Sequence, residues 1–535
     1  MKGFLTAAVF VFFILCACDP TASEKTGHST DEVSAWPAGV TYEIFVQSFY
    51  DTDGNGIGDF NGLTEKIPYL VDLGVEAVWL MPIMPSPSYH KYDVTDYRNV
   101  HPDYGTMDDF KNFVKQAHEN GIKVVIDLVI NHSGSGHPWF RKAKDNDPDF
   151  RQFYVWAHRD SVAEQINKRE TTGDSGNITQ WHEVEGDTDG ELYYGFFWGG
   201  MPDLNFDYQP LRDEIYDIGR YWLTEIGVDG FRLDAAKHIY PDDRAEDNHA
   251  FWVEFRKEME KVKPDVYLIG EVWAPTDVSA PYTQGLHALF NFDLAFSIIT
   301  SINSQRSQSA VIAGSSWKIV DSLSLTQGFI QNLDAFRSYN PDFINATFLS
   351  NHDQNRIGSM LDADPEKMKL AASILLTLPG SPYLYYGEEI GMLGMKPDEL
   401  IREPFLWEPE AMDKGRTTWE TPSYSTDSTV VPLAKQQSDA SSVYTHYRNL
   451  MKLRRESQVL TLGNITDVPA DDERLVIYKR TYGEEQNVII HNLSSVPLSY
   501  QVQDEVSKII FTTSDQGILT GKDVTVPPYS SIILK

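Results

Sequence analysis

The sequence predicts an α/β fold. A parallel (β/α)8 TIM barrel is interrupted after its third strand and is followed by a small antiparallel β-domain. Three observations predict it. Short apolar runs alternate with amphipathic helical stretches from Trp36 to about residue 456. Eight such runs spread over roughly 400 residues, and a parallel sheet of that size closes naturally into a barrel. From residue 457 onward the helical period gives way to short β-type runs.

In chain order, the first apolar run covers residues 42–49, the second 75–81 and the third 123–129. Before the third run, Phe110, Phe113, Val114 and Ala117 repeat at i, i+3, i+4 and i+7, the period of one helix face, and Gly121 stops that helix. Residues 133–209 then break the rhythm with Gly, Asp, Asn and aromatic residues and no clear helical period. So long a stretch is an excursion domain rather than a loop. Strand runs resume at 228–233, 266–270, 287–292, 344–349 and 382–386. Val443, Tyr447, Leu450 and Met451 mark the apolar face of a late helix, and β-type runs follow at 475–478, 487–491 and 530–534. The expected division is a barrel from 36–132 and 210–456, an inserted domain 133–209 and a C-terminal antiparallel β-sandwich 457–535. No repeat of fixed period occurs.

Composition narrows the functional classes. Of 535 residues, 41% are hydrophobic and 23% charged, which excludes a disordered chain. The 45 basic and 78 acidic residues give a formal charge of −33, so no nucleic acid is expected as a partner. The charge reads as a solvated acidic surface.

The N-terminus reads as an export signal. Lys2 is followed by a mostly apolar run of 14 residues, 4–17, too short to span a bilayer comfortably. The only two cysteines, Cys16 and Cys18, lie at its end, which leaves none to staple the body of the protein or to form a CxxC zinc pattern. Leu15-Cys16-Ala17-Cys18 resembles the lipobox of bacterial lipoproteins, in which the last Cys becomes the acylated N-terminus. The resemblance implies a signal peptide over 1–17, lipidation of Cys18 and a flexible polar tether over 18–35. The expected location is the cell envelope, periplasmic or cell-surface, with membrane contact through this anchor and a monomeric body. A plain secretory signal is the alternative.

Chemistry is sought at the C-terminal ends of barrel strands. The third strand runs into Asp127-Leu-Val-Ile-Asn131-His132, and the fourth into Gly230-Phe-Arg232-Leu-Asp234-Ala-Ala-Lys237-His238. The fifth ends in Gly270-Glu271-Val-Trp273, and the seventh in Phe348-Leu-Ser-Asn351-His352-Asp353. Any one acid reads as a surface or capping group. Asp234, Glu271 and Asp353 arriving at one mouth from three strands read as a site. Arg232 stands two residues before Asp234 and on a strand faces the same side, as a cation for that carboxylate. After the first strand, Asp51, Asp53, Asn55 and Asp59, with the carbonyl of Ile57, place oxygens at alternate positions around turn glycines. Hard oxygen ligands at that spacing suit Ca2+. It is no EF-hand, because the loop follows a strand and its twelfth position is Gly62. A plain Asp/Gly turn is the alternative.

These strings resemble the signature regions of the α-amylase family, glycoside hydrolase family 13, in the family's order over most of residues 36–460. So do Gly74-Val-Glu-Ala-Val-Trp-Leu-Met-Pro-Ile83, Met201-Pro-Asp-Leu-Asn205 and Gly380-Ser-Pro-Tyr-Leu-Tyr-Tyr-Gly-Glu-Glu389. The resemblance implies Asp234 as nucleophile, Glu271 as general acid/base and Asp353 as a third acid that grips substrate hydroxyls. It further implies that His132, His352, Arg232 and Lys237 meet the substrate and that Tyr92 stacks under the sugar. It supports Ca2+ in the first loop and suggests a second Ca2+ at Asn131, Asp203 and the His238 carbonyl. The division of labour is a chemical necessity. A glycosidic bond breaks through an oxocarbenium-like state, so one carboxylate must attack while a protonated one donates to the leaving oxygen.

Within the family, Met201–Asn205 resembles a group intermediate between oligo-1,6-glucosidases and neopullulanases. Oligo-1,6-glucosidases and their relatives typically carry an Asp three residues before the equivalent of Tyr92, where it holds the non-reducing-end sugar. Here Tyr89 stands there, which favours an open cleft and an endo-acting α-amylase on starch or maltodextrin. A neopullulanase-like or oligo-α-glucosidase activity is the alternative, and a non-hydrolytic starch-binding protein a remote one.

Overall fold

The computed structural model describes residues 36–166, 179–184, 186, 189–314 and 316–535. The expected signal peptide, tether and lipidation site at Cys18 lie outside the described residues.

Eight parallel strands close into a barrel: β1 Thr41–Ile44, β2 Ala77–Leu80, β3 Lys123–Leu128, β4 Gly230–Leu233, β5 Tyr267–Gly270, β6 Ala288–Phe290, β7 Ile344–Phe348 and β8 Ser381–Tyr385. Spatial order follows chain order, and β1 closes the ring by pairing with both β2 (Thr41 opposite Ala77) and β8 (Thr41 opposite Tyr383). Strand parity sorts the side chains. Trp79, Val125, Tyr267, Ile269, Phe290, Phe348 and Tyr383 form one buried cluster inside the barrel. Their neighbours Val78, Leu80, Val124, Ile126, Phe231, Leu233 and Leu268 join the larger core beneath the helices. Burial on both faces explains why these strands read as continuous apolar runs.

The helix expected before β3 spans Met107–Glu119. Thr106 and Asp109 close a reciprocal capping box at its start, and Phe110, Phe113, Val114 and Ala117 are its buried face. Gly121 follows with φ of 76°, a left-handed turn that suits glycine. The late helix spans Val443–Glu456 and buries Val443, Tyr447, Leu450 and Met451.

The insertion after β3 carries a helix, Pro138–Lys144, and a three-stranded antiparallel sheet in the order Trp156–His158, Glu191–Tyr194, Trp181–Glu183. An isolated bridge between His132 and Asp203 ties its return to the end of β3. At the C-terminus a five-stranded sheet runs Asn464–Asp467, Leu475–Tyr482, Glu485–Asn492, Ser530–Leu534, Ile509–Thr512. A three-stranded sheet runs Leu498–Gln501, Asp523–Val526, Ile518–Thr520. Ile477, Val488, Ile490 and Ile532 of the first share a buried cluster with Leu498, Val524 and Val526 of the second, so the two sheets form a sandwich.

Three features depart from the sequence reading. The run 42–49 is not one strand: β1 ends at Ile44 and Val46–Phe49 turn helically. All are buried, so an apolar run alone does not mark the change. A short helix, Gln458–Leu462, continues past residue 457. A hairpin of Ser309–Ala313 and Ser316–Val320, absent from that reading, stands between helices Phe292–Ser304 and Leu325–Tyr339 and carries Trp317 toward the barrel mouth.

Candidate active site

A cleft of about 650 Å³ opens at the C-terminal ends of the strands. Asp234, Glu271 and Asp353 line it together with Tyr92, His132, Lys237 and His238. Arg232 sits beneath them, 1% exposed. Its Nη1 donates to Asp234 Oδ1 at 2.6 Å and to both oxygens of Asp127 at 3.0 Å, while Nη2 donates to Glu271 Oε2. The cation predicted for Asp234 therefore serves three carboxylates at once. The guanidinium also lies 5.2 Å from the ring of Trp79 and 5.8 Å from that of Tyr92. Fixed between these groups, it sets the relative position of Asp234 and Glu271.

Burial raises Glu271 to about 7; Arg232 opposes that rise, and the neighbouring charges of Asp234 and Asp353 add to it. Glu271 is thus suited to keep a proton near neutrality. Burial likewise raises Asp127 to about 7 against the pull of Arg232. Asp353 shows the opposite balance: burial would raise it, but His352 and Arg402 hold it well below the usual carboxylate range. Arg402 Nη2 lies 3.0 Å from Asp353 and His352 Nε2 lies 2.9 Å from it.

Tyr92 is half-buried and stacks on His352 with centroids 5.6 Å apart. Its hydroxyl donates to Asp127 Oδ2 at 3.2 Å and lies 2.6 Å from His352 Nε2. His352 is fully buried, and Glu43 Oε1 lies 2.6 Å from its Nδ1. The ring nitrogens of His132 lie 3.1 Å from Asn131 Oδ1 and 3.2 Å from the Tyr92 carbonyl, so both histidines spend their nitrogens on protein partners. Lys237 pairs with Asp242 at 3.2 Å on the rim.

Aromatic side chains form the walls. Trp273 packs on Phe292, and Phe296 stacks on Trp317 at 4.4 Å. Trp198, from the insertion, is 51% exposed. Such apolar faces between polar groups suit sugar rings, which present C–H faces and hydroxyl edges. Tyr89 stacks on Trp419 at 5.2 Å and accepts from Arg402 Nη1 at 3.3 Å.

The loop after β1 draws three of its acids together. Among the described residues, Asp51, Asp53 and Asp59 form a group whose carboxylate oxygens lie within 4.8 Å of one another. Asn55 accepts from Ile57 N at 2.7 Å and donates to Asp53 at 3.1 Å, so it is part of the same loop. An all-oxygen set with three carboxylates fits a hard cation such as Ca2+. Two of the three residues of the second set are in contact. Asn131 Nδ2 donates to the His238 carbonyl, and Asp203 pairs across the bridge with His132. Asp203 accepts from Phe196 N at 3.0 Å, and burial raises it to about 8. Asn131 turns its N–H to His238, so its amide would have to flip to offer oxygen to a cation.

Glu43, Asp127 and Arg402 are site residues that the sequence reading does not single out. Glu43 and Asp127 carry a usable signal. Each stands at the strand parity that faces the barrel interior, where a charge has no packing role. Arg402 follows the short helix Asp398–Ile401 in an irregular stretch after β8 and carries no periodic signal.

Residues 43–463 match the family model described as the α-amylase catalytic domain, and residues 475–533 match that of the α-amylase SusG C-terminal domain. Alpha-amylase 3 of Dictyoglomus thermophilum is 39% identical over 497 residues, covering 93% of this chain and 93% of that protein. A 4-α-glucanotransferase of Thermotoga neapolitana is 34% identical, covering 86% of this chain and 97% of that protein. The crystal structure of an α-amylase from H. orenii superposes with a TM-score of 0.83 at 39% identity, covering 93% of this chain and 99% of that one.

Proposed function

The chain belongs to the α-amylase family, glycoside hydrolase family 13, and from that premise we propose that it is an endo-acting α-amylase cleaving internal α-1,4-glucosidic bonds of starch and maltodextrins with retention. The observation that carries the catalytic reading is one buried guanidinium bridging two carboxylates, Asp234 and Glu271, at the mouth of the barrel.

In this reading Asp234, ion-paired to Arg232, attacks the anomeric carbon. The C1–O bond breaks and the leaving oxygen takes the proton of Glu271. Glu271, now a carboxylate, takes a proton from water as that water attacks C1 and releases Asp234. Two inversions return the α configuration. Asp353, kept ionised by His352 and Arg402, grips sugar hydroxyls, and Tyr92 supports the sugar face. His132 and Lys237 line the cleft beside the substrate.

The endo-acting specificity rests on Tyr89. Where oligo-1,6-glucosidases typically carry an Asp that holds the non-reducing-end sugar, Tyr89 places a neutral aromatic stacked on Trp419. The relatives include a 4-α-glucanotransferase and an oligo-1,6-glucosidase, which keeps transfer and short-substrate activity as the second reading. Products from amylose and pullulan test the choice. Rapid viscosity loss with mixed maltooligosaccharides supports endo-amylase; glucose alone means α-glucosidase, and panose from pullulan means a neopullulanase-like enzyme.

Ca2+ in the loop of Asp51, Asp53, Asn55, Ile57 and Asp59 would brace the chain after β1, and a second ion at Asn131, Asp203 and His238 would brace the insertion. Lipidation at Cys18 behind a signal peptide would hold a monomeric enzyme at the cell envelope. The Leu15–Cys18 pattern and the polar composition after it support this, as Met201–Asn205 supports an intermediate group within the family.

A further inference from the structure

Glu43 lies on β1, 1% exposed, at the parity that faces the barrel interior. The neighbouring interior positions are filled by Trp79, Phe290, Phe348 and Tyr383. Burying a carboxylate among such groups is costly unless it is paired. Among the described residues its carboxylate hydrogen-bonds to His352: Oε1 lies 2.6 Å from Nδ1 and accepts from the backbone N–H at 3.3 Å. On the other side of the ring, Nε2 faces Asp353 Oδ2 at 2.9 Å and the Tyr92 hydroxyl at 2.6 Å.

The proton count discriminates between states of the ring. A neutral imidazole has one N–H. If Nδ1 holds it toward Glu43, Nε2 is an acceptor aimed at the Asp353 carboxylate, which is repulsive. If both nitrogens are protonated, every contact is satisfied. Nδ1–H donates to Glu43, Nε2–H donates to Asp353 and Tyr92, and Tyr92 passes its own proton toward Asp127.

We propose that Glu43 is a positioning residue for the active site: from inside the barrel it holds His352 in a doubly donating orientation, so that Nε2–H fixes Asp353 against the substrate. The proposal rests on the reading of Asp353 as a substrate-gripping acid. Glu43 touches no substrate and acts through His352. The electrostatics agree with the geometry. Burial lowers His352, but Asp353 and Glu43 together raise it to about 10. The other polar and charged groups around the ring are accounted for. Tyr92 stacks on it, Arg402 Nε donates to its carbonyl at 2.9 Å, and Asp127 and Glu271 sense its charge from β3 and the end of β5. Arg232 lies beyond Tyr92. Trp79 closes the remaining side edge-on at 5.5 Å.

The test is Glu43→Gln, which keeps the shape and removes the charge. The imidazole 15N signal that disappears in His352→Gln identifies the ring. It is followed without substrate from about pH 6 to about pH 9 in wild type and Glu43→Gln, a range that spans the ordinary histidine transition. Turnover of an α-maltooligosyl fluoride, whose leaving group needs no proton, is measured over the same range. The wild-type signal should stay imidazolium throughout, whereas that of Glu43→Gln should titrate within the range. Above its transition the charged fraction of the ring drops about tenfold per pH unit, so kcat of the variant should fall toward the alkaline end of the range, with a slope approaching tenfold per unit. KM should change less, and Glu43→Asp should restore part of the rate. A wild-type ring that titrates at the ordinary value overturns the proposal, as does a Glu43→Gln ring that stays imidazolium with an unchanged kcat profile. If Glu43→Gln does not fold, the wild-type titration and Glu43→Asp decide. The resonance needs no substrate, so its failure leaves the glycosidase reading standing, and failure of that reading leaves the resonance result standing.

Discussion

Arg232 Nη1 donates to Asp234 Oδ1 at 2.6 Å, and the same guanidinium reaches Glu271 with its other terminal nitrogen. One rigid cation thus holds in a common frame the two carboxylates proposed as nucleophile and acid. Asp234→Asn keeps the shape of the side chain and removes its nucleophilicity. Turnover on starch should fall by several powers of ten with the fold intact by circular dichroism. Activity within tenfold of wild type would show that another group attacks.

Glu271 should set the alkaline limb of the pH profile. In the proposed mechanism its protonated form donates to the leaving group, and burial raises it to about 7. The acid form therefore predominates below about pH 7, and kcat/KM on glucans should decline as pH rises through that value, approaching tenfold per unit. Glu271→Gln should lose several powers of ten on starch and retain a larger share of its rate on an α-glycosyl fluoride. Equal losses on the two substrates would exclude Glu271 as the acid.

The three acids were legible because barrel topology sends every strand end to one face, so Asp234, Glu271 and Asp353 needed only correct strands. The groups that tune them were less legible. Glu43 and Asp127 face inward by strict alternation, yet each sits in an apolar run that reads as core. The start of the Val46–Phe49 helix was hidden for the same reason, since full burial erases periodicity. Arg402 and Trp317 come from an irregular stretch and an inserted hairpin, whose positions depend on tertiary contacts alone.

Calcium should stabilise the fold through the loop after β1. A ligand that binds only the folded state adds about 3 kcal/mol at a hundredfold excess over its Kd. Chelation should therefore lower Tm, and Asp53→Ala, which removes an exposed carboxylate from the loop, should abolish most of that response. An unchanged count of bound calcium in the variant would mark the loop as a turn held by its own hydrogen bonds.

Cys18→Ser should release the enzyme from membranes without loss of specific activity. Several acyl chains on one residue anchor firmly where a single chain does not. Cell fractionation with a starch assay on each pool reads the outcome. A wild-type enzyme already soluble, with its mature N-terminus elsewhere, would make the segment an ordinary secretory signal.

Tyr89→Asp should shift cleavage from chain interiors toward chain ends. The Tyr89 ring rests on Trp419, and its hydroxyl accepts from Arg402, which also pairs with Asp353 and Asp398. Burial pushes the phenol well above its ordinary range, so the residue is neutral at any working pH. An aspartate there is shorter and charged. It would draw Arg402 from its present partners, leave the face of Trp419 uncovered and offer a carboxylate to the terminal hydroxyls of a non-reducing end. A polar group that must be satisfied by a chain end discriminates against a continuing chain more strongly than apolar contact does. The rate of viscosity loss on amylose should fall about tenfold or more, while glucose release from maltotriose rises relative to it. The ratio of the two rates cancels any general loss of activity from disturbing Arg402. An unchanged ratio would mean that Tyr89 does not decide between interior and terminal attack.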